Sequence, residues 1–352
     1  MRYTILGRSG LRVAKIALGT MTFGPGAEWS RSEAESKAVF DAYAEAGGNF
    51  IDTANMYPGG VSEELVGKFV GADRDRFVVA TKYANAVPGA GNPNAAGMHR
   101  KSLVQSLDKS LQRLGLDYID LYYVHWWDFT TPVDEVHRAL DDAVRAGKIL
   151  HIGLSDVPAW AVSRMQAMSD ARGLAPVTAM QLEYSLVQRS IEREHLAMAS
   201  VFDIGVTAWS PLAGGMLTGK YSRGVALEGA KRMDSMQLQP LDDRNLAIAA
   251  AVDRVADRIG AKSSQVALAW LLSKGVIPIV GATRPEQLAD NLASVDLELA
   301  DDALAELDAA SAIDLGHPYQ MVGWEMQMAL GYAGMFDQID IPSWPFRRNS
   351  PR

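Results

Sequence analysis

Short apolar runs and helical stretches alternate along this chain, with no linker or shift of composition between them. An opening hairpin pairs Tyr3–Leu6 with Leu11–Val13 around Gly7–Gly10. The strand-like runs that follow are Ile16–Gly19, Phe50–Ile51, Phe77–Ala80, Tyr118–Val124, Ile149–Leu154, Val177–Leu182, Val206–Trp209 and Val276–Ile279. Helical patterns separate them. The first, Ser32–Ala46, opens with Ser32 and Glu35 at capping-box spacing. The others are Glu63–Val70, Lys101–Leu114, Val133–Ala146, Pro158–Arg172, Glu192–Phe202, Arg244–Ile259, Ser264–Ser273 and Glu286–Leu292. Such alternation predicts a parallel sheet with right-handed crossovers. Runs that are apolar on both faces suit strands buried on both sides. Eight strand–helix units close into a (β/α)8 TIM barrel, whose typical length is about 250 residues before insertions. A doubly wound sheet would favour Gly-x-Gly-x-x-Gly after its first strand, a spacing that Gly19–Gly24 lacks. The expectation is one α/β domain over 1–352, with a core at about 6–307 and a C-terminal extension over 312–352.

In a barrel, chemistry gathers at the C-terminal ends of the strands. Those ends are Gly19-Thr20, Asp52, Lys82, His125, Ser155-Asp156, Gln181, Trp209-Ser210 and Gly281, nearly all polar or small. Asp52 and Tyr57, taken alone, read as a turn cap and a surface phenol. Lys82 changes the reading, because an unpaired ammonium at the mouth would be costly and Asp52 is one strand away. Two unit charges about 4 Å apart interact by roughly 4 kcal/mol at an effective dielectric of 20. A lysine beside a phenol would therefore favour phenolate by up to about three pKa units. That suits Tyr57 to general acid–base work. His125 would orient a substrate or polarise its carbonyl. The remaining histidines have no partners at ligand spacing, so no metal site is expected.

The net charge of −8 disfavours nucleic-acid and anionic-membrane partners. No cysteine is present, and neither a leader-like segment nor a membrane-length apolar run is visible, so a soluble cytoplasmic protein is expected.

Asp52–Tyr57, Ala80–Lys82, Tyr123–His125, Gly153–Ser155, Gly205–Tyr221 and Ile279–Asn291 together resemble the aldo-keto reductase superfamily, in the same order along the chain. The resemblance spans about Leu6 to Leu307 and implies a barrel that binds NADP(H) without a Rossmann fold. It implies hydride transfer to an aldehyde or ketone. Tyr57 would be the proton donor, tuned by Lys82 and Asp52, with His125 holding the carbonyl oxygen. Ser155 and Gln181 match residues that bond the carboxamide, and Trp209 an aromatic stacked on nicotinamide. Asp156 stands where the family commonly has Asn; an ionised carboxylate accepts but cannot donate. It would otherwise serve the start of the helix at Pro158.

Gly19, Thr20, Met21 and Ser210 complete the inner part of the expected cofactor site. Beyond them, the small-residue loop Pro211, Leu212 and Gly214 would let backbone approach phosphate, with Lys220 nearby. Gly214–Lys220 also approaches a P-loop, but Tyr221 occupies the magnesium-binding Ser/Thr position, which argues against a nucleotide triphosphatase. Gly281, Thr283 and Arg284 would meet a ribose 2′-phosphate, and by the family match Gln287 and Asn291 would face the adenosine end.

Trp29, Trp126 and Trp127, with Tyr57 and Phe129, would line a substrate pocket for a small carbonyl compound. The long segments Tyr83–Arg100 and Ser222–Asp243 and the tail from Ala312 are candidate lids. Tyr319, Met321 and Trp324 would reach the pocket or pack in a homo-oligomer. The rival reading is a nucleotide-binding, redox-sensing regulatory subunit, similar to potassium-channel β subunits, with little turnover.

Overall fold

The computed structural model describes residues 1–25, 30–86, 91–223, 239–319, 321 and 326–339. Strands β1 (Tyr3–Ile5) and β2 (Arg12–Ala14) pair antiparallel as the expected hairpin. The next eight strands are β3 (Ala17–Gly19), β4 (Phe50–Asp52), β5 (Val78–Tyr83), β6 (Ile119–Val124), β7 (Ile149–Ser155), β8 (Val177–Glu183), β9 (Gly205–Trp209) and β10 (Ile277–Val280). They close in chain order, β10 against β3, and every pair is parallel. The chain is a (β/α)8 barrel.

Helices α1 (Glu33–Glu45), α2 (Val61–Val70), α3 (Arg100–Leu114), α4 (Val133–Arg145), α5 (Ala159–Arg172) and α6 (His195–Phe202) follow β3 to β8 in turn. The β9–β10 connection carries α7 (Asp243–Ile259) and α8 (Ser263–Ser273); α9 (Pro285–Leu292) and α10 (Asp301–Ala310) follow β10. At the start of α1 the capping box forms as spaced: Ser32 Oγ accepts from the Glu35 amide, and Glu35 accepts from the Ser32 amide at 2.9 Å. The sequence reading had no counterpart of α10. Only Ala303 and Leu307 of that helix are buried, too thin an apolar face to show as a period. Its position is fixed by Asp308, which accepts from the Trp270 indole (2.9 Å) and Lys274 (2.8 Å).

Strand side chains alternate between two cores. Ile51, Val79 and Tyr122 face outward to the helices. Phe50, Val78, Ala80, Leu121, Tyr123 and Ala179 face inward, where Leu6 and Val13 of the hairpin join them and close the N-terminal end. Because the period is two, Asp52 shares the inward phase of Phe50, and Lys82 that of Val78 and Ala80. The barrel's own packing thus delivers charge to the mouth. Gly153 makes room beneath it: a Cβ there would lie 2.4 Å from the Tyr123 ring. We predict that Gly153→Ala costs about 2 kcal/mol by overpacking and lowers Tm by roughly 3 °C in a calorimetric scan. An unchanged Tm would mean that the ring moves freely.

Candidate active site

Lys82 Nζ lies fully buried at the end of β5. It donates to Asp52 Oδ1 at 2.6 Å and to the Thr53 carbonyl at 2.8 Å. Its third interaction is with Tyr57, whose ring centre is 5.1 Å from Nζ and whose hydroxyl bonds it. Burial opposes the ammonium charge, but the Asp52 carboxylate and then Tyr57 outweigh it, so Lys82 sits above the usual lysine value. Asp52 Oδ2 takes a hydrogen bond from Gln181 Nε2 at 2.7 Å. Asp52, Tyr57, Lys82 and His125, separate in the sequence, meet in one place.

Tyr57 is carried on an irregular turn, Tyr57–Gly60, that opens α2. His125 follows β6, its ring meeting the Tyr57 ring edge-on with centres 6.0 Å apart. Burial, and after it the Lys82 charge, pushes His125 down to about 3. Its imidazole is neutral at physiological pH, and Nδ1 is buried with no partner among the described residues.

The inner cofactor candidates divide. Thr20 Oγ1 is committed to the Asp52 carbonyl (3.0 Å) and Ser62 Oγ (2.8 Å), so it braces the loop after β4. Gly19 packs beside Ile279, Met21 is half-buried and Ser155 is buried. Gln181 has its amide nitrogen on Asp52. Asp156 does not cap α5, where Pro158 is the cap residue without a side-chain bond. Its Oδ1 instead accepts from Trp209 Nε1 at 3.1 Å.

The outer candidates converge. A cleft of about 890 Å³ is lined by Ser210, Pro211, Leu212, Gly214, Lys220, Gly281, Thr283, Arg284, Gln287 and Asn291. Arg31, Arg223 and Lys262 also border it and had not been singled out, since ordinary surface cations carry no local signal. Ser210, Ala213, Gly214 and Gly215 all have positive φ, and the tight turns close on themselves, the Ala213 and Gly215 amides donating to the Ser210 and Leu212 carbonyls at 2.9 Å. Ser210 Oγ and Asn291 Nδ2 are buried with no partner among the described residues, which leaves donors for a bound group. Gln287 Oε1 already accepts from the Thr283 amide and hydroxyl. This cleft, with its cations and orphaned donors, fits a phosphate-bearing dinucleotide.

At the substrate side, Trp126 is 54% exposed with its ring 5.6 Å from that of His125. Trp127 is instead buried, edge-on to Trp160, because the chain alternates there. Trp29, Trp324 and the middles of both long candidate lids lie outside the described residues. Tyr319 bonds Glu194 at 3.3 Å, and Met321 is exposed. Thr53 had been overlooked; its contribution is a backbone carbonyl, which no side-chain pattern announces. Among the described residues, no group of three or more His, Asp or Glu gathers to hold a metal, and no helix is long and apolar enough to cross a membrane.

The aldo/keto reductase family pattern matches residues 15–312. The chain belongs to the aldo/keto reductase family. As a member it is 36% identical over 321 residues to norsolorinic acid reductase of Aspergillus flavus, covering 88% of this chain and 81% of that protein. It is 35% identical over 325 residues to the uncharacterized oxidoreductase YrpG of Bacillus subtilis (88% and 95%). It is 33% identical over 333 residues to aryl-alcohol dehydrogenase [NADP(+)] of Phanerodontia chrysosporium (89% and 86%). Family and relatives support an oxidoreductase that reduces carbonyl groups.

The depressed His125 value carries a pH prediction. Its folded value of about 3 lies below the ordinary 6.5, so the unfolded chain takes up the proton first. His125 should keep neutral-imidazole 15N shifts from pH 8 to pH 4, while its contribution to stability falls as pH drops below about 6.5. A ring titrating near 6 would contradict the buried geometry.

Proposed function

We propose that this aldo/keto reductase uses NADP(H) to reduce aryl aldehydes or ketones to alcohols, with Tyr57 as proton donor. The observation that carries the reading is Lys82, fully buried yet charged, hydrogen-bonded to the Tyr57 hydroxyl beside a neutral His125. When bound, NADPH would supply the hydride. The protein's own groups do the rest. As Tyr57 gives its proton to the carbonyl oxygen, the Lys82 ammonium stabilises the phenolate left behind. Asp52 keeps that ammonium in place, and Gln181 keeps Asp52 in place. With Nδ1 enclosed, His125 Nε2 is the ring nitrogen left to donate to the carbonyl oxygen.

Pro211, Leu212, Gly214 and Lys220 would hold the pyrophosphate, Thr283 and Arg284 the 2′-phosphate, and Asn291 the adenosine end. The relative named for NADP(+) favours the phosphorylated cofactor, as do the cations along the cleft. The aryl preference rests on exposed Trp126 beside His125 and on a relative named for aryl alcohols. The protein would work in the cytoplasm on a free small molecule, as one barrel domain with residues 312–352 appended.

Purified protein mixed with NADPH and a panel of aryl and aliphatic aldehydes should consume the nucleotide, followed by its absorbance. Tight binding without consumption would favour a redox sensor. Tyr57→Phe should retain NADPH binding and lose about 10²–10⁴-fold in turnover; undiminished turnover would remove Tyr57 as the acid. Arg284→Ala should weaken NADPH roughly tenfold while sparing NADH, the scale of one charge-assisted contact. Equal losses would mean that the 2′-phosphate lies elsewhere.

A further inference from the structure

We propose that Asp156 is a positioning residue whose carboxylate fixes the Trp209 indole where the cleft meets the barrel mouth, and so prepares an aromatic face for a flat heterocycle. The heterocycle rests on the reductase reading above; the fixing of the indole does not. Three observations converge on the pair. Asp156 Oδ1 accepts from Trp209 Nε1 at 3.1 Å, linking the ends of β7 and β9 across β8. Asp156 itself sits on left-handed backbone at φ +47°, as does Ser210, the residue that follows Trp209, at φ +51°. Non-glycine residues hold that conformation when their surroundings over-determine it, often at working sites. The ordinary duty of such an aspartate, capping the next helix, is not performed: Pro158 caps α5, and with no side-chain bond.

Burial pushes the Asp156 carboxyl up to about 6, with the Trp209 bond opposing, Glu183 adding and Lys82 opposing. The other titratable group close by, His195 on α6, has its Nε2 at the Val157 carbonyl, 3.1 Å away. An ionised acceptor holds an N–H more strongly than a neutral one. The grip on the indole therefore tightens as pH rises through about 6 and slackens below it.

The test follows the Trp209 indole 1H–15N resonance in ligand-free protein, assigned by its loss in Trp209→Phe. In the wild type it should move with a midpoint near pH 6. In Asp156→Asn, whose neutral amide oxygen still accepts, it should no longer titrate and should stay near its wild-type low-pH position at every pH. Asp156→Ala should displace it and weaken NADP⁺ binding, measured by fluorescence titration, by roughly tenfold, with the Asn variant close to wild type. An indole that does not titrate in the wild type would overturn the proposal, as would Asn and Ala variants with the same displacement. If Asp156→Ala fails to fold, the wild-type and Asn titrations still decide. Failure of the wild type to bind nucleotide at all would count against the reductase reading and the heterocycle, while the resonance would still judge the role of Asp156.

Discussion

An ammonium shut inside a barrel governs this structure. Desolvating a carboxylate and an ammonium costs several kcal/mol per ion unless every donor and acceptor is met. Lys82 has three protons to give, and Asp52, the Thr53 carbonyl and the Tyr57 hydroxyl receive them. Asp52 then has a second oxygen to satisfy, and Gln181 satisfies it. The requirement spreads outward from there. The loop after β4 must hold its Thr53 carbonyl against Nζ, and Thr20, Thr53 and Ser62 form a buried hydroxyl cluster that braces it. Satisfying one charge shapes four strand ends.

The same charge sets the character of its neighbours. His125 stays neutral first because it is buried and then because Lys82 repels a second proton. A neutral imidazole can donate a hydrogen bond without competing for the proton that Tyr57 delivers. Further out the needs reverse. The cleft beside β9 and β10 is open, bordered by cations and left-handed turns. One molecule thus offers a dry centre suited to proton transfer and a wetter channel suited to phosphate.

Much of this was legible in the sequence, because a barrel translates period and order directly into position. Every barrel strand and the helix after it fell close to where the apolar runs and caps put them, α6 opening at His195 instead of Glu192, and Asp52, Lys82 and His125 were visible as polar residues ending apolar runs. What was hidden depends on contacts between distant segments. Trp127 looked like a pocket residue and is buried against Trp160; Gln181 read as a partner of the carboxamide and its amide nitrogen is bonded to Asp52. Asp156 suggested a cofactor contact or a helix cap, and its carboxylate holds an indole from β9. Helix α10 carried too few apolar positions to announce itself.

The inward–outward alternation of β5 bears on how such a protein can change over time. Inserting one residue upstream of Lys82 would swing it into the helix layer and bring a neighbour to the interior, because strand side chains swap faces at each step. A two-residue insertion would keep the face but carry the amine about 7 Å along the strand, past its acceptors. Lineages can therefore lengthen or shorten the surface connections freely, while the segment before Lys82 admits almost no change of length. Drift in this chain should accumulate as exchanged letters inside the strands and as gaps only outside them.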